Sequence, residues 1–100
     1  MSTLFTINKS LHDAIWLHEQ LVFAQAGDAI LLIEDGVLAL HSKVSLASFA
    51  AKCEVNGVNV YALQDDCALR GIENKQQNIQ MIDYACWVNL VENHDKLCAW

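Results

Sequence analysis

The chain has 100 residues, a net charge of -6 and only six basic residues. That leaves no basic stripe to track a phosphate backbone, so direct nucleic-acid binding is not expected. Apolar residues make up 54% and charged residues 18%, more apolar material than a small sphere can hide, so some must be exposed or lie under a partner.

A single domain over residues 1–100 is expected at this length. No apolar run approaches the roughly 18 residues of a membrane span, and no association with a membrane is expected. The N-terminus shows neither a basic n-region nor a signal-peptide h-region, which points to the cytoplasm.

In chain order, Leu4 to Ile7 makes a short strand and Asn8-Lys9-Ser10 turns the chain. Ser10 followed by Asp13 has capping-box spacing. The helix after it aligns Ala14, Leu17, Leu21 and Ala24, with Ile15 and Val22 widening the stripe. Trp16 falls off that stripe, where either a second covering layer or a role as interface anchor accounts for it.

Gly27-Asp28 opens the run Ala29 to Ile33, five consecutive apolar residues. A run this short with no polar alternation reads as a strand buried on both faces, in the middle of a parallel sheet. Its end, Glu34-Asp35-Gly36, falls at the carboxyl edge, where open α/β folds place their ligands. Val37 to Leu40 gives about one helical turn, and Val44 to Cys53 a second helix with Val44, Ala47 and Ala51 on one face. Asn56-Gly57 often marks a hairpin, but helical periodicity precedes it, so it reads as a helix-to-strand joint leading into the strand Val58 to Leu63.

Gln64-Asp65-Asp66 is expected to cap a short helix from Cys67 to Arg70, which Gly71 ends. Glu73 to Asn78 reads as a loop, Ile79 to Ile82 as the fourth strand, and Asp83 as the cap of a helix from Tyr84 to Val91. After the loop Asn93-His94-Asp95, Leu97 to Trp100 forms an edge strand or a packed tail, with Trp100 docked because its ring is costly to leave in water. Proline is absent, so every bend relies on Gly, Asn, Asp or Ser. Strands alternate with helices throughout, which gives an α/β fold with a mostly parallel sheet of four to five strands and right-handed crossovers.

Three constellations can carry chemistry. Glu34-Asp35, Asp65-Asp66 and Asp83 all follow strands, so a parallel sheet gathers them at one edge, as in an Mg²⁺-dependent receiver domain phosphorylated on an Asp such as Asp35 or Asp65. Helix N-termini recruit Asp in any case to accept orphan N–H groups. A receiver is also longer and ends on a lysine-closed strand, whereas Lys96 precedes only a short tail, so capping is the expectation.

Of the four cysteines, Cys67 lies in the first turn of a helix, where a thiolate is favoured, but Asp65 and Asp66 beside it oppose that charge. Cys86 is near a helix start beside Asp83, Cys53 is near a helix end where the dipole opposes a thiolate, and Cys98 belongs to the tail. Their spacing matches no zinc or CxxC pattern, so reduced, inert thiols are expected. His12, His18, His41 and His94 have no paired metal-ligand spacing, and no phosphate cradle or nucleophile elbow occurs. No catalytic centre, metal site or cofactor is therefore expected in the chain itself.

The segments Leu4-Phe-Thr-Ile-Asn-Lys-Ser10, Leu31-Leu-Ile-Glu-Asp-Gly-Val37 and Val60-Tyr-Ala-Leu63, then Asp66, Ala68-Leu-Arg-Gly71, Ile82-Asp-Tyr84 with Val88, and the final Ala99-Trp100, resemble the DsrH/TusB family of sulfur-relay subunits. Each is weak singly; the ordered set spans nearly the whole chain. The resemblance implies a three-layer DsrE-like fold and a heterohexamer built from two copies each of three related subunits, the others DsrE/DsrF-like (TusD/TusC-like).

In the TusB branch such an assembly relays persulfide sulfur between carrier proteins for 2-thiouridine formation at the tRNA wobble position. The transferring cysteine there belongs to the TusD-like partner. The DsrH branch serves sulfur oxidation, and some of its members carry a cysteine in the first helix; the matching position here is Gln20, which cannot form a persulfide. The implied role is a non-catalytic subunit of a sulfurtransferase complex. The alternatives are a subunit of a DsrEFH-like complex in sulfur oxidation and a sulfur carrier that uses Cys98 or Cys67.

Overall fold

Four residues that expose at most 1% of their surface, Ala29–Leu32, form the middle strand of a five-stranded sheet. The computed structural model describes residues 2–8, 24–41, 51–73 and 79–99. In these, β1 is Thr3–Ile7, β2 Ala29–Leu32, β3 Asn59–Leu63, β4 Ile79–Ile82 and β5 Lys96–Ala99, in the spatial order β4-β3-β2-β1-β5. All pairings are parallel, with Leu4 opposite Ala29, Ala29 opposite Asn59, Val60 opposite Ile79 and Thr3 opposite Lys96. The buried apolar run is thus the centre of a parallel sheet, and the tail resolves into an edge strand.

The strand order explains how the two faces are covered. From β1 to β4 the strands step the same way, and right-handed crossovers then keep the described segments that follow β2 and β3 on one face. The last connection doubles back across the sheet to β5 and falls on the opposite face. Side-chain packing agrees. Val37, Leu40, Cys53, Cys67 and Ile72 pack with Phe5, Ile7, Ile30, Leu32 and Val60 on one side. Trp87 and Leu90 pack with Leu4, Ala29, Leu31 and Ile82 on the other. Alternation along β2 decides which residues go where: Ile30 and Leu32 face one layer, Ala29 and Leu31 the other. The fold is three-layered α/β.

Among the described residues the connections are α1, Gln64–Leu69, and α2, Tyr84–Asn93, together with a 3₁₀ helix at Glu34–His41 and a helical segment at residues 51–55. The 3₁₀ helix is longer than the single turn that Val37 to Leu40 implies. Both glycine-ended helical segments close in the same way. Val58 N–H donates to the Cys53 carbonyl and Gly57 N–H to that of Glu54, while Ile72 N–H donates to Cys67 and Gly71 N–H to Ala68. These paired bonds need a left-handed residue, and Gly57 (φ 75°) and Gly71 (φ 64°) supply it.

One local expectation changes. Gln64-Asp65-Asp66 does not cap α1 but forms its first turn, behind Leu63, which offers no side-chain cap. The Asp66 carboxylate is used elsewhere. Asp83, by contrast, caps α2 as expected, accepting the Cys86 N–H at 2.9 Å. The first-helix stripe with Ser10, Trp16, His12, His18 and Gln20, the helical turns before residue 51, the loop 74–78 and Trp100 lie outside the described residues.

Candidate functional site

The parallel sheet brings Glu34, Asp35, Asp65, Asp66 and Asp83 to its carboxyl edge, as their positions after strands imply. There the side chains of Asp66, Asp35 and Asp83 each hold a partner within the chain. The buried Asp66 carboxylate accepts the backbone N–H of Glu34 at 2.6 Å, which ties the end of β2 to α1. Glu34 is held at φ 50°, in the left-handed region that a non-glycine residue enters only under restraint. Two residues on, Gly36 lies against the end of β1, where a Cβ would fall on the Ile7 carbonyl oxygen. Gly36 is therefore needed for close approach, and the unusual turn is made by Glu34.

Asp35 is engaged by Arg70, whose Nε and Nη2 both donate to Asp35 Oδ1, at 3.1 and 3.0 Å. The third nitrogen, Nη1, donates to the Asp66 carbonyl at 3.3 Å. In sequence Arg70 stands out only as a helix end and as part of the family-like segment Ala68-Leu-Arg-Gly71, not as a partner of Asp35. Its spacing of four from Asp66 accounts for the bond to that carbonyl, while its partner Asp35 stands 35 residues away and leaves no local mark. Asp83 is committed to Cys86, and hydrogen bonds from Cys86, its backbone N–H first, hold the Asp83 carboxyl below its ordinary value. Among the described residues no group of three His, Cys, Asp or Glu side chains could hold a metal ion.

The amino edge is tied in a similar way. Asp28, buried between the 24–27 turn and β1, accepts the N–H of Thr3 and of Gln25, each at 2.8 Å. At the same end Asp95 Oδ2 accepts the Ser2 N–H at 3.0 Å, joining the entry of β1 to that of β5. His94 donates from Nδ1 to the Leu90 carbonyl at 2.7 Å, closing the end of α2. The His41 side chain lies outside what is described.

All four thiols are free. Burial alone pushes the Cys53 thiol up to about 12. Cys67 is raised by burial and then by the Asp66 charge, with Arg70 opposing in part. A thiolate, the nucleophilic form, is thus disfavoured at both. Cys86 is exposed, but the helix terminus beside it is already occupied by the Asp83 carboxylate. Cys98 is half-buried on β5, opposite Phe5.

The larger unassigned feature is apolar. None of the ten residues of α2 is buried. Trp87 and Leu90 turn toward the sheet, while Tyr84, Val88 and Val91 form a second stripe that is exposed. Spacings of four and three place these on one helix face. The Tyr84 and Trp87 rings stack with centroids 6.1 Å apart. Val91 and Trp87 continue into a groove of about 480 Å³ with Thr6, Leu97, Cys98 and Ala99, and Leu97 is 61% exposed. This is the excess apolar surface that composition demands, at a place that helix periodicity reveals once two stripes are sought on α2. Among the described residues, no helix is long and apolar enough to cross a membrane.

Comparison with known proteins agrees with this architecture. Residues 10–97 match the family described as DsrH like protein. Protein TusB of Photorhabdus laumondii is 39% identical over 75 residues, covering 74% of this chain and 76% of that protein. Protein TusB of Escherichia coli (strain K12) is 33% identical over 95 residues, covering 91% of this chain and 97% of its own. The solution structure of protein Tm0979 from Thermotoga maritima superposes with a TM-score of 0.62 over 90% of this chain and 91% of that one, at 22% identity, a likeness of fold. With the family matched over nearly all its length and TusB proteins similar across most of it, the chain belongs to the DsrH/TusB family.

Proposed function

We propose that this chain is a non-catalytic, cytoplasmic subunit of a sulfur-relay complex for tRNA thiolation, a single domain that works by assembling with others. The observation that carries this is the state of its thiols. Cys53 and Cys67 are buried with raised pKa values, and the helix terminus beside Cys86 is taken by Asp83. Gln20 stands where a sulfur-bearing cysteine would be in the DsrH branch. The TusB names of the similar proteins favour the 2-thiouridine pathway over sulfur oxidation. In this role the partners are two related DsrE/DsrF-like subunits in a heterohexamer, one of them bearing the transferring cysteine, and sulfur carrier proteins engage the whole.

The second reading is a sulfur carrier, and of its two named thiols Cys98 is the more open, half-buried on the sheet face away from α2 while Cys67 is buried. Incubation with a persulfide donor followed by mass spectrometry separates the two. The subunit reading expects no added sulfur on any of the four cysteines in the native chain. Persulfide on Cys98 at a stoichiometric level sinks it. Co-expression with the related subunits tests assembly directly: a stable monomer that ignores both contradicts the proposal.

A further inference from the structure

We infer that the outward face of α2, with the groove between α2 and β5, docks a partner subunit whose contact surface is an apolar strip bracketed by Lys or Arg. This rests on the proposed role in a relay complex and names the surface and its chemistry.

The face is built as half of an interface. A helix apolar on two sides is normally covered on both. The chain itself covers one side of α2, through Trp87 and Leu90. The stripe on the other, Tyr84, Val88 and Val91, is left 36–56% exposed. A parallel sheet is likewise normally covered on both faces. Here β5 is an edge strand, and Leu97, opposite Leu4 on the α2 side, is left bare. Val91 and Leu97 line the same groove, so helix stripe and strand edge form one continuous surface.

Charge decides the occupant. α2 contains no Lys or Arg, and carboxylates stand at both ends of the stripe: Asp83 before Tyr84, then Glu92 and Asp95 after Val91. A second copy fits poorly. Two α2 helices packed antiparallel about a two-fold axis set Asp83 of each against Glu92 of the other. Packed parallel, they set like residue against like. Either way carboxylate meets carboxylate, between chains that each carry -6. A chain that offers cations around an apolar strip meets no such repulsion. Lys96, at the entry of β5, is the one cation near this surface among the described residues.

The test uses the full chain co-expressed with the two related subunits, with affinity read by titration of the purified components. Val88→Glu is expected to weaken assembly about a hundredfold, because it buries an unpaired charge in the apolar strip. Val55→Glu, at an exposed apolar residue in the helical segment on the opposite face, leaves it unchanged. Tyr84→Ala removes contact area without adding charge and serves where Val88→Glu fails to fold; it should weaken assembly about tenfold. Glu92→Gln with Asp95→Asn should weaken it and flatten its salt dependence.

If the wild-type chain assembles and Val88→Glu and Tyr84→Ala assemble at full strength too, the docking face is wrong while the subunit role stands. Unaltered salt dependence in the Glu92 and Asp95 variant overturns the cationic partner surface. A homodimer broken by Val88→Glu makes a second copy the occupant and overturns the inference. A wild-type chain that binds neither subunit overturns the role itself.

Discussion

The Asp66 carboxylate accepts the backbone N–H of Glu34 at 2.6 Å across a sequence separation of 32 residues. It joins the end of the central strand to the first turn of α1, and it holds Glu34 in its left-handed conformation. A carboxylate that reads as a helix cap in sequence is, in the folded chain, a clamp on the backbone of another element.

Removing that clamp should cost far more than removing the ion pair beside it. Asp66 is 8% exposed and its bond to Glu34 is part-buried, so Asp66→Ala removes the acceptor of the Glu34 N–H, a loss of roughly 1–3 kcal/mol. The Asp35–Arg70 pair is more open, with side chains 59% and 26% exposed, and Asp35→Ala should cost about 0.5 kcal/mol. Urea midpoints of the two variants decide it. Equal shifts would mean that the Glu34 bond contributes no more than a surface pair.

Much of this fold is legible in the sequence, and the reason is physical. The run Ala29 to Ile33 has no polar alternation because both faces of β2 are covered, so local composition alone reveals the centre of the sheet. Gly57, Gly71 and Asp83 act through neighbours within five residues, and short-range rules find them. The Asp66–Glu34 clamp and the Asp35–Arg70 pair join positions more than thirty residues apart, and nothing local marks them. Hence Asp66 reads as a helix cap and Arg70 as a bystander. Gly36 is a subtler case. Its sequence context suggests a turn, while its requirement comes from the carbonyl of Ile7 on another strand.

That contact yields a comparison between glycines. At Gly71 the added methyl of Ala meets open space, and the penalty is the left-handed backbone, about 1 kcal/mol. Gly36→Ala drives a methyl into the backbone at the end of β1, and backbone there has little freedom to move. We expect a loss of about 3 kcal/mol, or failure to fold. Thermal midpoints check the order, and a Gly36→Ala protein as stable as Gly71→Ala would mean that the 3₁₀ helix stands further from β1.

Thiol reactivity should follow burial. Pulsed alkylation with iodoacetamide at mildly alkaline pH, read by mass spectrometry, should label Cys86 first and the half-buried Cys98 more slowly. Cys53 and Cys67 should react only when the chain opens, because they expose at most 1% of their surface and their thiols are raised. In denaturant all four should label alike. Rapid native labelling of Cys67 would remove the ground for treating it as inert and strengthen the carrier reading.

Acidification should loosen α2 through Asp83. Its carboxyl is held below the ordinary 3.8 in the folded chain, chiefly by the Cys86 N–H. A group whose folded value is depressed contributes stability that is fully present above its unfolded value. That contribution is lost as pH falls through the folded one. The window therefore opens just below pH 3.8 and extends downward. Asp83→Ala has no such carboxylate to protonate, so its stability should fall less steeply than that of the wild type across that window, while starting lower at neutral pH. Circular dichroism melts at a series of pH values measure both slopes. Parallel slopes would mean that the cap is not formed in solution, and the docking face on α2 would then lose the fixed N-terminus on which its geometry depends.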